Sequence, residues 1–239
     1  HSGAPNPLPG TDQASVWTQI RRAGPDWIIS WNLSAMHVVA AREMKRNGIS
    51  MEKLIVSNWF NEVDIANIGS AEVKGIKRGT NVVGGKDHPL MKQIAADLYA
   101  KGKGNMEDAS RVGSVYHVRG VVHGIITVEA IRKAQEKYGK GKRMTAEQVR
   151  WGLENLNLDD VRLKALNASG MMPPLKTSCA DHEGSGMVKF QTWDGKQWKV
   201  VTPNWVAPDK EMIRKLIVES AEKYAAEKKI PIRDCAKEG

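Results

Sequence analysis

The chain has 239 residues, of which 41% are apolar, and this suffices for one large or two modest packed domains. Its longest uncharged apolar stretches fall short of the roughly 20 residues that cross a bilayer, and no charged-then-apolar segment follows His1, so we expect a soluble product from which any export signal has already been removed. The formal charge of +9 comes from lysines spread over predicted helix faces and Gly-Lys loops rather than gathered with aromatic residues, so no nucleic-acid partner is expected.

The first third of the sequence alternates predicted helices and strands. Thr11 can cap a first helix that runs to Arg22 and stops at Gly24-Pro25. A second helix ends at Asn47-Gly48, and periodicity then predicts a short helix over residues 63–68 and strands over 26–31, 53–57 and 75–83. Strands that alternate with helices at this interval predict an α/β fold with a parallel sheet and right-handed crossovers.

The second half is predicted to be helical and then to return to strands. Helices are expected over residues 88–100 and 109–138, and another begins at the cap Thr145, which has Gln148 at the capping-box position. Alternating apolar residues flank the turn Asp194-Gly195, which indicates a β-hairpin. A last helix is predicted over residues 209–228.

Indole and amide side chains follow two of the predicted strands. Trp31, Asn32, Leu33 and Ser34 come after the first strand, and Asn58-Trp59 comes after the second. Loops that leave the carboxyl ends of neighbouring parallel strands converge on one crevice. An indole there can stack on a ligand while its N–H orients a polar group, although both tryptophans can also simply seal the end of the sheet. The pattern predicts a small-molecule site.

Catalytic and metal signatures are weak. Ser185 lacks the spacing of a nucleophile elbow, and Asp181-His182-Glu183 is interpreted as a hydrogen-bonded turn. Cys179 and Cys235 fit no zinc pattern, and their count alone permits either one disulfide or two reduced core cysteines. We therefore expect no catalytic residue, metal or cofactor. An α/β hydrolase would need Ser34 or Ser57 as its nucleophile.

A series of segments carries a family resemblance, and two of them are fairly specific: Asp181-His182-Glu183-Gly184 and the later Trp193-Asp194-Gly195. With these two, the order of segments resembles the branched-chain amino acid class of ABC-transporter solute-binding proteins, which are type I periplasmic binding proteins. The similarity runs through nearly the whole chain, and its other segments are Ala23-Gly24-Pro25-Asp26-Trp27, Gly48-Ile49, Asn67-Ile68-Gly69, Lys74-Gly75, Tyr116, Arg119-Gly120 and Glu129-Ala130-Ile131.

The resemblance implies a periplasmic receptor with two lobes, each a parallel sheet flanked by helices. Such a receptor closes on a small-molecule solute and delivers it to an ABC permease. Matching the family's loops places Asn32, Leu33, Ser34, Asn58 and Trp59 at the cleft between the lobes.

The same resemblance bears on the class of solute. A relative that binds aliphatic amino acids has an acidic residue at the position of Asn58, which holds the ammonium group. An amide cannot supply that charge, so a standard α-amino acid is put in doubt unless Glu62 compensates. A small polar or anionic solute is expected: an amino acid, a carboxylate or an amide.

Two further features follow from the resemblance. Tyr116 and Arg119 match a segment near the hinge, where Arg119 either favours a carboxylate ligand or forms an ordinary ion pair. Export to the oxidising periplasm favours a disulfide between Cys179 and Cys235.

The resemblance also predicts how the chain is organised. Residues 1–107 would be the ligand-binding part of the second lobe, 108–175 a helical segment of the other lobe, and 176–239 the returning strands, hairpin and last helix. Most of the first lobe is missing and would be supplied by the rest of the protein. Without it, five apolar residues are expected to face water: Val121, Val122, Ile125, Ile126 and Ile131. The same fold also serves as a ligand-sensing receptor module, which is the alternative function.

Overall fold

The computed structural model describes residue 3 and residues 10–237. In chain order these residues form α1 (Ala14–Ala23), β1 (Ile28–Ser30), α2 (Ala35–Arg46), β2 (Leu54–Val56), α3 (Glu62–Ile68), β3 (Lys77–Thr80), α4 (Pro89–Asp97), α5 (Val115–Tyr138), α6 (Ala146–Leu153), β4 (Asn157–Leu158), α7 (Asp160–Ala165), β5 (Leu175–Lys176), β6 (Lys189–Trp193), β7 (Trp198–Val200) and α8 (Lys210–Lys228).

The chain divides into two compact units, and neither is continuous in sequence. The sheet unit holds the described residues up to 86, together with 105–118 and 188–205. The helical unit holds 87–104, 119–187 and the described residues from 206 onward. No helix in the described part of the chain is long and apolar enough to cross a membrane.

The five-stranded sheet of the sheet unit has the order β1-β2-β3-β6-β7. Its first three strands are parallel, as the alternation of helices and strands predicted. The predicted hairpin is also present, but β6 joins the sheet antiparallel to β3, so the sheet is mixed. The observed strands are shorter than the predicted ones.

The start of α1 differs from its prediction. The residue before the helix is Gln13, not Thr11, and its side-chain amide is buried. Gln13 Nε2 donates to the carbonyls of Gly10 and Met36, at 2.6 and 2.9 Å, while Gln13 Oε1 accepts from Trp17 Nε1 at 2.8 Å. These tertiary bonds set the beginning of the helix in place of a local cap. At the other end, the helix stops at Gly24 as predicted, and Gly24 adopts a left-handed conformation.

One face of the sheet carries the apolar core of the sheet unit. Its members are Trp17, Ala40, Met44, Leu54, Val56, Phe60, Ile65, Val73, Ile76 and Trp193, so α1, α2 and α3 all pack on this face. Arg78 lies on the same face and is only 1% exposed. Its guanidinium donates to Gln191 Oε1 and to the Phe60 carbonyl, and stacks 3.9 Å from the ring centre of Trp198.

The helical unit contradicts one expectation. Val122 is only 4% exposed, and Val121, Ile125, Ile126 and Ile131 are half-buried rather than facing water. The unit also buries apolar residues of its own: Ala130, Ala134, Leu156, Leu158, Leu163, Met171 and Met172. The expectation failed because it assumed that the apolar side chains of the helical segment have no packing partners, whereas the helical unit buries them in part or in full.

The C-terminal segment of the helical unit is attached at two points. Cys179 and Cys235 form a disulfide. Arg233 donates to both carboxylate oxygens of Glu154, and His182 Nε2 lies 3.2 Å from the same carboxylate. The hydrogen bond from Arg233 holds the pKa of Glu154 below its usual value. The last described residues are therefore tied to the body of the unit.

Candidate functional site

The two loops predicted to form the site leave the sheet side by side. β1 and β2 are adjacent and parallel, and Ser30 pairs with Val56. Residues 31 and 57 therefore start their loops at the same edge of the sheet. This confirms the strand arrangement on which the predicted site depends. The roles of the individual residues stay a prediction.

The loop after β1 exposes its apolar side chains and buries its amide. Trp31 is 77% exposed, and Leu33 and Ser34 are exposed as well, whereas Asn32 is buried. Ser34 has a φ of 44°, a conformation that costs a non-glycine residue free energy and is held by its surroundings. The loop presents an indole and an aliphatic side chain on a strained backbone.

A buried histidine supports this loop from below. His37, in the first turn of α2, donates a ring N–H to the backbone carbonyl of Asn32 and packs edge-on against Phe60 with ring centres 5.1 Å apart. Burial lowers the pKa of His37 to about 4, so the ring is neutral at pH 7. Within the described residues, His37 Nε2 has no hydrogen-bond partner.

The loop after β2 is bonded to its neighbours through polar side chains. Asn58 Nδ2 donates to Asn81 Oδ1 at 2.7 Å, which links the exits of β2 and β3. Asn61 caps α3, and both its backbone N–H and its Nδ2 donate to Asp64 Oδ2, at 3.0 and 2.7 Å. Desolvation by burial raises the pKa of Asp64 to about 6.

Tyr116 and Glu62 connect this loop to the beginning of α5. The hydroxyl of Tyr116 donates to the Trp59 carbonyl at 3.0 Å, and the two rings meet edge-on with centres 6.4 Å apart. Glu62 Oε2 accepts from the backbone N–H of Val115 at 3.2 Å. Three of the predicted site residues are thus brought together.

A cavity of about 750 Å³ lies beside these residues, entirely within the sheet unit. Glu62 and Tyr116 line it, but the residues of the loop after β1 do not. Other lining residues are Asn67, Lys86, Met106, Arg111, His117, Trp193, Gln197 and Trp198. Its size is in the range of small-molecule pockets.

Sequence reasoning missed the aromatic wall of this cavity. Trp193 and Trp198 form this wall, and their rings pack edge-on with centres 5.5 Å apart. The abundance of tryptophan was the available signal, but periodicity alone does not separate a core side chain from a lining one. His117 also lines the cavity; its Nδ1 accepts from the N–H of Gly113, and burial lowers its pKa.

The remaining predicted residues lie in the helical unit. Arg119 belongs to that unit, whereas the other predicted ligand residues belong to the sheet unit. The Asp181 segment forms the predicted hydrogen-bonded turn, because Asp181 Oδ1 accepts from the N–H groups of Glu183 and Gly184. In residues 10–237 no cluster of three or more His, Cys, Asp or Glu side chains is arranged to hold a metal ion.

The chain is similar to a family and to solved structures of binding proteins. Residues 3–197 match the sequence profile of the periplasmic binding protein family. A structure from the Pseudomonas fluorescens group, described as an ABC transporter permease, is 38% identical, with a TM-score of 0.88 over 95% of this chain and 55% of that one. The chain has no significant match among curated protein sequences.

Two more distant structures share the fold. A branched-chain amino acid ABC transporter protein from Thermus thermophilus, solved with bound valine, has 19% identity and a TM-score of 0.64 over 87% of this chain and 52% of that one. A solute-binding protein from R. palustris in complex with benzoate has 14% identity and a TM-score of 0.55 over 84% and 50%. The chain spans about half the length of these neighbours.

These similarities extend over the sheet of the sheet unit and its flanking helices. They also confirm the resemblance found in the sequence. The chain belongs to the periplasmic binding protein family and has its type I fold, a mixed α/β architecture with a largely parallel sheet flanked by helices.

Proposed function

We propose that this chain contributes the ligand contacts of one lobe of an extracytoplasmic solute receptor that serves an ABC importer. The observation that supports this most is the pair of adjacent, parallel strand exits, which display Trp31 and Leu33 on one loop and Asn58 and Trp59 on the next. In the proposed site the indoles stack on the solute, and Asn58 offers hydrogen bonds.

The proposed ligand is a small polar or anionic solute, such as an amino acid, a carboxylate or an amide. The loops over residues 31–34 and 57–59 contain no carboxylate, so they offer no counter-charge to an ammonium group. The nearest acid in sequence, Glu62, already accepts a hydrogen bond from Val115. Arg119 is the proposed partner of a ligand carboxylate.

In the proposed mechanism no covalent bond is made or broken. A receptor of this kind works because its open and closed forms bind the solute with different affinity, and a permease recognises the closed form. In this proposal residues 1–107 carry the ligand-binding part of the second lobe, residues 108–175 a helical segment of the other lobe, and residues 176–239 the returning strands, hairpin and last helix. Periplasmic location is part of the same proposal.

Isothermal titration calorimetry with the 239-residue chain tests the proposal. Benzoate, glutarate, acetamide, leucine and valine form a suitable panel. We expect heat of binding from a carboxylate or amide and none from leucine or valine, and the Trp59→Ala variant should weaken the binding at least tenfold. Tyr224→Ala is the matched control, because Tyr224 is an exposed aromatic residue on α8. Binding that Trp59→Ala leaves unchanged would contradict the proposed site.

A further inference from the structure

The cavity beside α3 is a compartment of its own. It has a volume of about 750 Å³ and lies within the sheet unit, between the flank of α3, the segment 106–117 and the end of the hairpin formed by β6 and β7. The loops over residues 31–34 and 57–59 do not line it. Because it contacts both Glu62 and Asn67, it extends for roughly 7.5 Å along the helix. We call it the α3 cavity.

The hairpin gives the α3 cavity an aromatic wall. The ring of Trp198 is held in place, because Trp193 packs edge-on against it and the Arg78 guanidinium stacks 3.9 Å from its centre. Aliphatic side chains line other parts of the cavity, including Val63, which is exposed, and Val112, which is half-buried. A fixed indole beside aliphatic side chains suits a planar aromatic ring.

Polar groups in the same lining lack partners. The indole N–H of Trp198 is buried and has no acceptor within the described residues. The side-chain amides of Asn67 and Gln197 also make no hydrogen bond to any described residue. Buried donors in native proteins are nearly always bonded, so an unbonded one beside a cavity favours a ligand that carries an acceptor.

The charges around the α3 cavity favour an anion. Lys86 and Lys196 line it from two different segments, both are exposed, and neither forms an ion pair within the described part of the chain. The two carboxylates in the lining are already engaged, since Glu62 accepts from a backbone N–H at 3.2 Å and Asp108 pairs with Arg111. The two lysines therefore provide the charge that is left uncompensated, and they attract a carboxylate.

We infer that the α3 cavity is a second ligand site and that it takes a two-ring aromatic carboxylate. The rings lie against Trp198 and Val63, and the two lysines attract the carboxylate. Small-molecule pockets of about 300–1,000 Å³ enclose drug-sized ligands, so the volume favours two rings over one. The inference does not rest on the proposed function, because it uses no contact from residues 31–34 or 57–59.

Binding of 2-naphthoate tests the inference. Isothermal titration calorimetry with the 239-residue chain measures its affinity, and 2-naphthylmethanol, which has the same rings and no charge, is the ligand control. We expect naphthoate to bind at least tenfold more tightly than the alcohol at low salt, and added salt should reduce the difference. Ala66→Trp should abolish binding, because Ala66 is an exposed residue of α3 that lines the cavity and an indole there would fill it.

The variants have matched controls. Lys86→Gln/Lys196→Gln should weaken naphthoate binding at least tenfold and remove most of its sensitivity to salt. Lys140→Gln/Lys142→Gln removes the same charge from two exposed lysines of the helical unit and should leave the affinity within twofold. Ala226→Trp, at an exposed position of α8, is the control for Ala66→Trp. Circular dichroism checks that each variant remains folded.

Three results would overturn the inference: no binding of 2-naphthoate at about 1 mM, equal weakening by the two lysine pairs, or an affinity that Ala66→Trp leaves unchanged. Binding that Trp59→Ala abolishes and Ala66→Trp does not affect would place the naphthoate at the strand exits, which overturns this inference and supports the proposed function. If the proposed function fails instead, naphthoate should still bind and should still respond to Ala66→Trp.

Discussion

His37 makes the loop after β1 sensitive to acid. The folded protein holds this ring neutral with a pKa of about 4, whereas the unfolded chain has the ordinary value of 6.5. Between these values the unfolded state binds more protons, so the stability that comes from the neutral ring is fully present above pH 6.5 and is lost as the pH falls toward 4. The stability that His37 contributes beneath the predicted site therefore depends on pH.

The first prediction concerns His37→Gln. Glutamine keeps an N–H that can donate to the Asn32 carbonyl but cannot be protonated. We expect the fall in melting temperature between pH 6.5 and pH 4 to be smaller than in the wild type, as measured by thermal unfolding at four pH values. His123→Gln serves as the control, because His123 is exposed. If His37→Gln and the wild type show the same dependence of melting temperature on pH, the lowered pKa of His37 is refuted.

Asp64 has the opposite dependence on pH. In the folded protein the pKa of Asp64 is about 6, above the ordinary 3.8. The stability that comes from the neutral carboxyl is therefore fully present below pH 3.8 and is lost as the pH rises through 6. The second prediction is that Asp64→Asn stabilises the protein above pH 6, by up to about 3 kcal/mol, and has little effect at pH 4. Asparagine Oδ1 can still accept both hydrogen bonds from Asn61.

Urea unfolding at pH 4 and pH 7.5 measures the effect. Asp97→Asn is the control, since Asp97 is an exposed helical carboxylate that pairs with Lys101. A stabilisation by Asp64→Asn that is equal at both pH values would show that the pKa is not raised in the folded state. Because His37 and Asp64 act in opposite directions between pH 4 and 6, their effects partly cancel in the wild type.

For individual residues, the sequence predicted which residue types lie at the strand exits but not what surrounds them. The indoles and amides follow the strands as expected, because a strand boundary is a local property. The burial of Asn32 and its bond to His37 depend on how α2 packs beneath the loop, and no local pattern contains that information. The position of Trp198 in the wall of the cavity likewise depends on contacts between distant residues.

Among the elements, helix boundaries followed their local signals where no tertiary bond intervened. The box formed by Thr145 and Gln148 is present and begins α6 as predicted. The first helix departs from its prediction because Gln13 bonds to the carbonyl of Met36, 23 residues away. A local cap is therefore a reliable signal only when no distant partner competes for the same turn.

The C-terminal segment provides the third prediction. The disulfide closes a loop with a sequence separation of 56 residues, so its removal in Cys179→Ser/Cys235→Ser should destabilise the protein by about 2–4 kcal/mol. Because the Arg233–Glu154 pair remains, we expect the folded variant to keep its C-terminal segment attached, with only modestly faster trypsin cleavage after Lys228 or Lys229.

Thermal unfolding and timed proteolysis check this expectation, and wild-type protein treated with dithiothreitol is the control. The reduced wild type should match the double variant. Rapid loss of the segment in the variant would mean that the ion pair contributes little on its own, and an unchanged melting temperature would mean that the disulfide does not stabilise the folded state.

On the scale of the molecule, Arg78 joins parts of the chain that are far apart in sequence. It bonds to Gln191, 113 residues away, and to the carbonyl of Phe60 at the exit of β2. The fourth prediction is that Gln191→Leu costs about 2–4 kcal/mol, because it removes an acceptor from a buried guanidinium. Arg78→Met/Gln191→Leu should recover at least half of that loss.

A double-mutant cycle measured by urea unfolding provides the test. Thr192→Leu is the matched control, because Thr192 neighbours Gln191 on β6 but points to the other face of the sheet. Additive effects of Arg78→Met and Gln191→Leu would contradict a direct coupling between the two side chains.

The sequence predicted the α/β class, the parallel strands and the hairpin, because each follows from periodicity and turn residues over about ten positions. It did not predict that β6 joins β3 or that each unit is assembled from separate segments, since such pairings depend on contacts between distant residues. The expectation that Val122 faces water failed at this scale, because burial is a property of the assembled unit.

The pairing of β3 with β6 also determines how much of the chain must be present before the sheet can close. β3 is the middle strand of its sheet, yet one of its neighbours lies more than a hundred residues later in the chain. Until residues 189–193 are available, one edge of β3 has no strand to pair with, and Trp193 cannot complete the core. A partly folded chain in this state exposes unpaired backbone N–H and carbonyl groups, and unpaired strand edges of this kind promote aggregation.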